Sequence, residues 1–371
     1  WIPSLYFAEG LPFVAAMTVS VIMYKRLDIS NAAIAFYTSW LYLPWIIKPL
    51  WSPLVDLLST RRNWIIVMQL LIGAAFAAIA LTIPGDNFFR FTLAAFWLVA
   101  FSSATHDIAA DGFYILALDD HDQAWFVGIR NTFYRLAMIT GQGLLVMVAG
   151  WLETSTGKVP LAWSVTFYLL AAIYVLLFAW HRRALPRVAD DVAGAAGSLR
   201  SLLAKFVATF VDFFRKKHVG KILAFLLLYR LAEAQLVKLA SPFLLDDTGA
   251  GGLGLGTAQV GFVYGTIGAL MLTLGGIAGG MLAARHGLRY WLWWMAAAIN
   301  VPNAVYILLA VLRPESFVLI NIAVGIEQLG YGFGFTAYTL SVSYTHLTLP
   351  TTIKPWWWGW GGGLCWSGGG G

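Results

Sequence analysis

Nine ionisable side chains lie within long apolar stretches of this sequence, and these are the residues best placed to do chemistry. They are Glu9, Lys48, Asp107, Asp111, Arg135, Arg230, Glu233, Lys238 and Glu327. A charged side chain at the centre of a bilayer costs roughly 3 kcal/mol on insertion scales, so nine facing lipid would cost roughly 25 kcal/mol. The net stability of a folded protein is only about 5–15 kcal/mol. Most of the nine must therefore face one another or a water-filled cavity.

Asp107 and Asp111 are four residues apart, so they share one face of a helix. Arg135 lies a few residues into the next apolar stretch, at a similar expected depth. Two interpretations stay open: a structural salt bridge between the two helices, or a proton site or gate. Crowded carboxyls in a low-dielectric interior favour proton uptake, which suits the second interpretation. His106 is expected to be a hydrogen-bonded helix residue rather than a proton relay.

Arg230, Glu233 and Lys238 form a second group. Arg230 and Glu233 are three residues apart and could pair with each other. Unpaired, Arg230 and Lys238 would make an anion site, because a guanidinium binds a carboxylate or phosphate through two hydrogen bonds. Structural pairing and substrate contact are both open. Glu327 and Gln328, midway along the last apolar stretch, are expected to face the interior.

Glu9 precedes Gly10-Leu11-Pro12, which we interpret as a break in the first helix. Broken helices are tolerated in a membrane only beside a cavity or buried in protein, so we expect Glu9 to line a cavity. A buried partnership with Lys48 is the alternative. Lys48-Pro49 could equally mark a kink, with the lysine extending toward the membrane surface.

Charges also follow two of the apolar stretches. Asp56, Arg61 and Arg62 follow the second stretch, and Arg285 follows the eighth. Such charges could hold one side of a transporter shut and release it during a conformational change. For the arginines alone, positive-inside topology is the simpler explanation.

Ten apolar stretches carry these residues, and each has about the 20 residues that cross a bilayer. Their limits are approximately 2–24, 32–54, 64–83, 91–114, 129–151, 161–180, 221–244, 257–282, 290–312 and 317–340. The chain is 60% hydrophobic and 11% charged, which argues against a soluble enzyme and against a disordered chain. A single cysteine, Cys365, excludes a disulfide framework and a cysteine-based metal site. We find no Walker loop, metal-ligand spacing or catalytic triad, and therefore expect no enzyme, no metal and no cofactor.

The order of the stretches predicts two halves, 1–180 and 221–340, joined by a basic linker at 181–220. Within the linker, residues 198–217 read as an interfacial amphipathic helix, with partner binding as the alternative. An offset of 224 residues aligns Glu9 with Glu233 and Arg61 with Arg285, as an internal repeat would. A cytoplasmic N-terminus puts 14 basic residues in inside loops and 5 in outside loops, which favours that orientation.

The segment 341–371 differs in composition, with tryptophans crowded among glycines. Residues 342–351 resemble a translated adapter sequence. We interpret the segment as a non-native tail rather than a membrane anchor, and we expect two further helices to be missing from the chain.

Several of these residues lie in stretches that resemble a known family. The turns after the second and eighth stretches resemble the signature of the major facilitator superfamily. Five stretches are similar to those of AmpG-type muropeptide permeases, in the peptide/acetyl-coenzyme A transporter group. They are Tyr6-Phe-Ala-Glu-Gly10-Leu-Pro12, Lys48-Pro-Leu-Trp51-Ser-Pro53-Leu-Val-Asp56, Phe101-Ser-Ser-Ala-Thr-His106-Asp107-Ile-Ala-Ala-Asp111, Tyr134-Arg135-Leu-Ala-Met138 and Tyr229-Arg230-Leu-Ala-Glu233. Glu9, His106 and Glu233 stand where that family often has Ser, Gln and Asp.

The resemblance implies an all-α integral membrane protein with the major facilitator fold, two six-helix halves here truncated to about ten helices. It implies a monomer in the bacterial inner membrane that imports anhydro-muropeptides, which are cell-wall sugar-peptides, by alternating access with protons. No nucleic acid is expected as a partner. A symporter for another sugar or organic anion, and a non-transporting sensor with the same fold, are the alternatives.

Roles follow from charge and placement. We assign proton coupling to Glu9, Asp107, Asp111 and Glu233, and gating to Lys48, Asp56, Arg61, Arg62 and Arg285. The candidates for substrate contact are Arg135, Arg230, Lys238, Tyr134, Tyr229, His106, Glu327 and Gln328.

Overall fold

The computed structural model describes residues 1–194 and 219–346, together with positions 204, 207, 208, 211, 214 and 215. Every regular element in these residues is helical. The α-helices before the linker are α1 (Ile2–Val14), α2 (Ser20–Arg26), α3 (Asn31–Trp40), α4 (Leu43–Ile47), α5 (Ser52–Leu58), α6 (Arg61–Thr82), α7 (Phe88–Ala117), α8 (Asp120–Ile139), α9 (Val146–Thr156) and α10 (Val159–Ala184). Those after it are α11 (Val219–Tyr229), α12 (Leu231–Leu245), α13 (Thr257–Phe262), α14 (Ala269–His286), α15 (Leu288–Asn300), α16 (Val305–Leu312) and α17 (Phe317–His346). The predicted amphipathic helix at 198–217 and the segment beyond 346 lie almost wholly outside the described residues.

Three wide π-helical turns join some of these helices end to end. They are Ala15–Val19 between α1 and α2, Thr140–Leu145 between α8 and α9, and Val263–Gly268 between α13 and α14. Short 3₁₀ turns occur at Lys48–Leu50, Thr248–Ala250 and Val301–Ala304.

Eight continuous helical segments in the described part of the chain are long and apolar enough to cross a bilayer. They are Ile2–Arg26, Arg61–Thr82, Phe88–Ala117, His121–Thr156, Val159–Ala184, Thr257–His286, Leu288–Leu312 and Phe317–Leu340. The multi-pass helical architecture predicted from the sequence is confirmed.

The other two predicted spans are interrupted. The stretch 32–54 is divided into α3, α4 and α5, and it contains three prolines, Pro44, Pro49 and Pro53. Each proline removes a backbone donor and crowds the preceding turn, so a single straight helix cannot form. The stretch 221–244 is divided at Arg230, between α11 and α12.

The predicted break at Gly10-Leu11-Pro12 is wrong, because α1 continues through Pro12 to Val14. The irregularity comes three residues later, where the amide of Ala15 donates to the carbonyls of both Leu11 and Pro12 as the π-helix begins. Gly10 affects helix packing rather than helix continuity. A Cβ atom there would lie 2.9 Å from the carbonyl oxygen of Tyr134, so glycine permits α1 to pack closely on α8.

The chain divides into two compact units. Of the described residues, those within 1–214 and 237–266 form the first unit, and those within 215–236 and 267–346 form the second. Residues 237–266, which follow the linker, thus belong with the first unit. A Cβ atom on Gly150 would overlap the backbone of Ala258, which shows how closely α9 and α13 approach.

Glycines also set the packing of the second unit, where α14 and α15 pack against α17. A Cβ atom on Gly275 would overlap the carbonyl of Leu329, and one on Gly279 would lie 2.9 Å from that of Phe333. Glycines on α14 therefore permit a close contact with α17.

Candidate functional site

Five buried ionisable side chains form what we call the first-unit charge cluster: Glu9, Lys48, Asp107, Asp111 and Arg130. Glu9 comes from α1, and the two aspartates share one face of α7, as predicted. Lys48 stands at the 3₁₀ turn that interrupts the second predicted span, and Arg130 lies in the middle of α8. Four separate helical elements thus converge on one charged group in an apolar interior.

Each aspartate has its own cation. The Lys48 Nζ atom lies 3.6 Å from Asp107 Oδ2, and Arg130 Nη2 lies 2.8 Å from Asp111 Oδ1. Tyr6 also donates its hydroxyl to Asp111 Oδ1 over 3.3 Å. The Arg130 guanidinium lies 4.3 Å from the centre of the Tyr6 ring, so an aromatic face and a carboxylate together fix its position.

Glu9 is the carboxyl without its own cation. It is 2% exposed, and its Oε2 atom has no hydrogen-bond partner among the described residues. It interacts electrostatically with both aspartates and, more weakly, with Arg130 and Lys48. The cluster therefore contains three carboxyls and two cations, which leaves one buried negative charge unbalanced when all five groups are ionised.

Arg135 does not take part in this cluster. Its side chain is exposed, and no ion pair joins it to another described residue. The salt bridge to Arg135, which was one of the two interpretations of Asp107 and Asp111, is not formed among the described residues. Arg135 follows Arg130 by five positions on α8, so their side chains point about 140° apart around the helix.

Arg130 was missed in the sequence because it looked like a loop residue at the start of the stretch 129–151. In the structure α8 begins at Asp120, after Asp119 accepts a hydrogen bond from the amide of Asp122 at 2.8 Å. An aspartate is a favoured N-cap residue, because its carboxylate accepts a hydrogen bond from a backbone amide in the first turn of the helix. Asp119 was therefore a signal in the sequence that α8 begins there.

His106 lies on another face of α7 and is fully buried. Its Nε2 atom is 3.0 Å from Gln69 Nε2, and Gln69 in turn bonds His181 Nδ1. His181 Nε2 lies 2.9 Å from the hydroxyl of Ser4. These contacts join α1, α6, α7 and α10, and they agree with the prediction that His106 is a hydrogen-bonded helix residue.

The second-unit charge cluster comprises Arg230, Glu233 and Glu327. Arg230 Nη2 lies 2.9 Å from Glu233 Oε2, and Arg230 Nε lies 3.2 Å from the same oxygen. The pairing that their spacing allows, one of the two possibilities left open by the sequence, is therefore formed. Glu327 is buried and accepts a hydrogen bond from Gln328 at 2.9 Å.

Two other substrate candidates are engaged with backbone atoms. The Tyr229 hydroxyl donates to the carbonyl of Gly334 at 2.8 Å. Lys238, which belongs to the first unit, donates to the carbonyls of Met17 at 3.3 Å and Thr38 at 3.4 Å. Tyr134 interacts electrostatically with Asp107 and Glu9, so it lies beside the first-unit charge cluster.

Three of the predicted gating residues, Asp56, Arg61 and Arg62, make polar contacts between separate segments of the first unit. Arg61 lies 3.1 Å from Asp56 and donates to the carbonyl of Gly112 at 2.9 Å. The backbone amides of Arg61 and Arg62 both donate to Asp191, at 2.8 and 3.0 Å. Arg285 is exposed and joins no ion pair among the described residues. Sequence reasoning missed Asp191 because about 130 residues separate it from the amides that it accepts.

Glu153 forms a further polar contact inside the first unit. It lies 3.1 Å from Arg26 Nε and accepts hydrogen bonds from Trp163 at 2.8 Å and Thr257 at 2.6 Å. We call these four residues the Glu153 cluster. Separately, Lys25 pairs with Asp246, which also accepts from Asn31 at 2.8 Å. Both contacts join the end of the first span to residues that follow the linker.

Comparison with known proteins identifies the fold and close relatives. Residues 4–354 match the family described as Major Facilitator Superfamily. The chain is 28% identical over 340 residues to "Anhydromuropeptide permease" of Escherichia coli (strain K12), which covers 90% of this chain and 65% of that protein. It is 27% identical over 345 residues to "Putative transporter AmpG 4" of Rickettsia conorii, which covers 89% and 78%. The chain thus spans about two thirds of the length of the permease.

Solved structures agree on the fold alone. The nucleoside transporter NupG superposes with a TM-score of 0.64 at 16% identity, covering 96% of this chain and 84% of that chain. A bacterial homolog of the human lysosomal transporter Spinster, in its inward-facing unoccupied conformation, gives 0.64 at 16% identity, covering 96% and 79%.

Proposed function

Because the chain belongs to the Major Facilitator Superfamily and is a multi-pass transporter of that family, we propose that it imports anhydro-muropeptides together with protons. The cargo is suggested by the similarity to the anhydromuropeptide permease. We place the transporter in the bacterial inner membrane with its N-terminus in the cytoplasm, as the distribution of basic residues favours.

The first-unit charge cluster is the observation that supports proton coupling. Three buried carboxyls share two cations, and Glu9 has an oxygen with no hydrogen-bond partner among the described residues. An ionised carboxylate in that position is costly, whereas a protonated one is not. Uptake of a single proton makes the cluster neutral. We assign that proton to Glu9. Asp107 and Asp111 favour its protonation because their negative charges lie close to the Glu9 carboxyl.

Neutralisation also gives the proton a role in the transport cycle. When the binding site switches from facing one side of the membrane to facing the other, it passes through a state that is closed to water. Unbalanced charge is most costly in that state. The protonated cluster passes through that state more readily than the ionised one. Inward transport is then driven by the proton gradient, as in alternating access of two halves.

Uptake into liposomes tests the proposal. The full chain is reconstituted, an inward proton gradient is imposed, and labelled anhydro-muropeptide is followed with and without a protonophore. Glu9→Gln mimics the protonated side chain and is expected to lose gradient-driven accumulation while it keeps exchange of internal for external cargo. Asp86→Asn, an exposed acid in the turn before α7, is the matched control and should behave as wild type.

Accumulation that collapses with the protonophore, and that Glu9→Gln abolishes, supports both cargo and coupling. Folded protein that transports no muropeptide would contradict the cargo, and a screen of sugars and organic anions would then identify the alternative. Gradient-driven accumulation by Glu9→Gln would contradict the assignment of Glu9.

A further inference from the structure

An apolar groove of about 370 Å³ lies between the start of α1 and the end of α10, within the first unit. It is lined by Ser4 of α1 and by four residues of α10, which are Ile173, Leu176, Leu177 and Trp180. The α10 residues recur at helical spacing, so they form one face of that helix over two turns. Leu176 is 69% exposed and Trp180 is 55% exposed, so the groove opens to the surroundings of the protein.

Hydrogen bonds fix one end of this groove. The Trp180 indole nitrogen donates to the Ser4 hydroxyl at 3.1 Å, and His181 Nε2 lies 2.9 Å from the same hydroxyl. The start of α1 and the end of α10 are thereby held together on one side of the membrane. The groove is therefore a built feature of the first unit rather than a loose gap between two helices.

Two arginines follow the fixed end of the groove. Arg182 and Arg183 are exposed in the last turn of α10, and neither forms an ion pair with a described residue. Arg183 follows Trp180 by three positions and Leu176 by seven, so it continues the same face of the helix. Three positions correspond to about 4.5 Å along a helix axis. A cation thus stands directly beyond the apolar groove.

The charge of the whole chain is concentrated in the segment that begins here. Residues 181–221 contain nine basic and three acidic residues, a net charge of +6, whereas the rest of the chain contains 15 of each and is neutral. Positive-inside topology accounts for such a segment but not for the apolar groove beside it. Basic residues next to a membrane span attract anionic lipid headgroups, and basic pockets between spans bind them.

We propose that the groove binds one anionic phospholipid. An acyl chain lies along Leu176 and Trp180, and the phosphate pairs with Arg183, with Arg182 beside it. A zwitterionic headgroup would bring its own cation toward these two arginines. Asp191 does not offset that repulsion, because its carboxylate already accepts from the amides of Arg61 and Arg62. A headgroup with net negative charge is therefore the better match.

Native mass spectrometry of the full chain in detergent tests the proposal. The protein is titrated with dioleoyl phosphatidylglycerol and with dioleoyl phosphatidylcholine, which has the same acyl chains but no net charge. We expect the first phosphatidylglycerol to bind at least about tenfold more tightly than phosphatidylcholine. Glycerol 3-phosphate, which carries the phosphate without acyl chains, should not displace the bound lipid at equal concentration.

Charge variants locate the headgroup. Arg183→Gln should weaken phosphatidylglycerol binding about fivefold and change phosphatidylcholine binding little, because one basic residue near the surface is lost. Arg289→Gln is the matched control, since it removes an exposed arginine that lies outside the groove. It should bind phosphatidylglycerol as wild type does.

Variants of the groove locate the acyl chain. Leu176→Trp fills the groove and should weaken the binding of both lipids. Leu169→Trp is its control, because Leu169 is exposed on the same helix but does not line the groove. Helical circular dichroism and gel filtration establish that each variant is folded.

Several results would overturn the lipid site. Equal affinity for the two lipids would remove the role of charge, and displacement by glycerol 3-phosphate would leave a site for free anions only. An equal loss in Arg183→Gln and Arg289→Gln would mean that only the overall charge matters. Unchanged binding in folded Leu176→Trp would place the lipid elsewhere. None of these measurements involves transport, so the lipid site and the proposed function can fail separately.

Discussion

Replacing Arg130 is expected to destabilise the protein far more than replacing Arg135. Arg130 is buried, pairs with Asp111 at 2.8 Å and lies over the rings of Tyr6 and Tyr114. Arg130→Met leaves Asp111 buried without its cation, although the Tyr6 hydroxyl still donates a hydrogen bond to it. Removal of one partner from a buried ion pair costs about 3–5 kcal/mol. Arg135→Met removes an exposed side chain that forms no ion pair with the described residues, and should change the unfolding free energy by no more than about 0.5 kcal/mol.

The assay is equilibrium unfolding in mixed micelles, followed by loss of helical circular dichroism. A double variant, Asp111→Asn with Arg130→Met, removes both charges and should recover most of the loss, because a neutral pair carries no buried unpaired charge. A loss below about 1 kcal/mol for Arg130→Met, or an equal loss for both arginines, would refute the assignment of Arg130 as the partner of Asp111. If the recovered double variant still accumulates cargo in a proton gradient, Asp111 acts only as a structural partner.

Three further predictions concern packing and polar contacts. Gly10→Val should destabilise the protein by about 1–3 kcal/mol, since its Cβ would press against the Tyr134 carbonyl, and thermal unfolding in detergent measures this. Asp191→Ala leaves two amides of α6 without their acceptor and should cost about 1 kcal/mol, whereas Asp191→Asn should cost less; micelle unfolding compares the two. Glu153→Gln should be mild because its ion pair with Arg26 is partly exposed, while Glu153→Leu should lose about 2 kcal/mol more in the same assay, as two donors lose their acceptor.

Some local spacings in the sequence were informative, although the break predicted at Gly10-Leu11-Pro12 was wrong. The Arg230–Glu233 pair follows from a three-residue spacing on one chain segment, so it could be predicted without knowledge of the fold. The shared face of Asp107 and Asp111 follows from the same rule. The interrupted second span also had a visible cause in its three prolines, although the apolar composition alone suggested a continuous helix.

Contacts between distant segments were not predictable in this way. Glu153 meets Thr257 across 104 residues, and Asp191 meets the amide of Arg61 across 130 residues. Nothing in a single sequence specifies such pairs, because they depend on how the helices are arranged. The choice of Arg135 over Arg130 failed for a related reason, since it required the start and the facing of α8 to be known.

The π-helix at Ala15–Val19 can be regarded as a one-residue insertion in an otherwise regular span. One residue corresponds to about 100° of rotation around a helix axis. The insertion therefore sets the angular phase between Glu9, which faces the first-unit charge cluster, and Arg26, which pairs with Glu153. A deletion of one residue in this turn would leave the length and hydrophobicity of the span almost unchanged. It would nevertheless rotate either Glu9 or Arg26 away from the residues that it now contacts. The number of residues in the span, and not only its composition, therefore determines which contacts its charged side chains make.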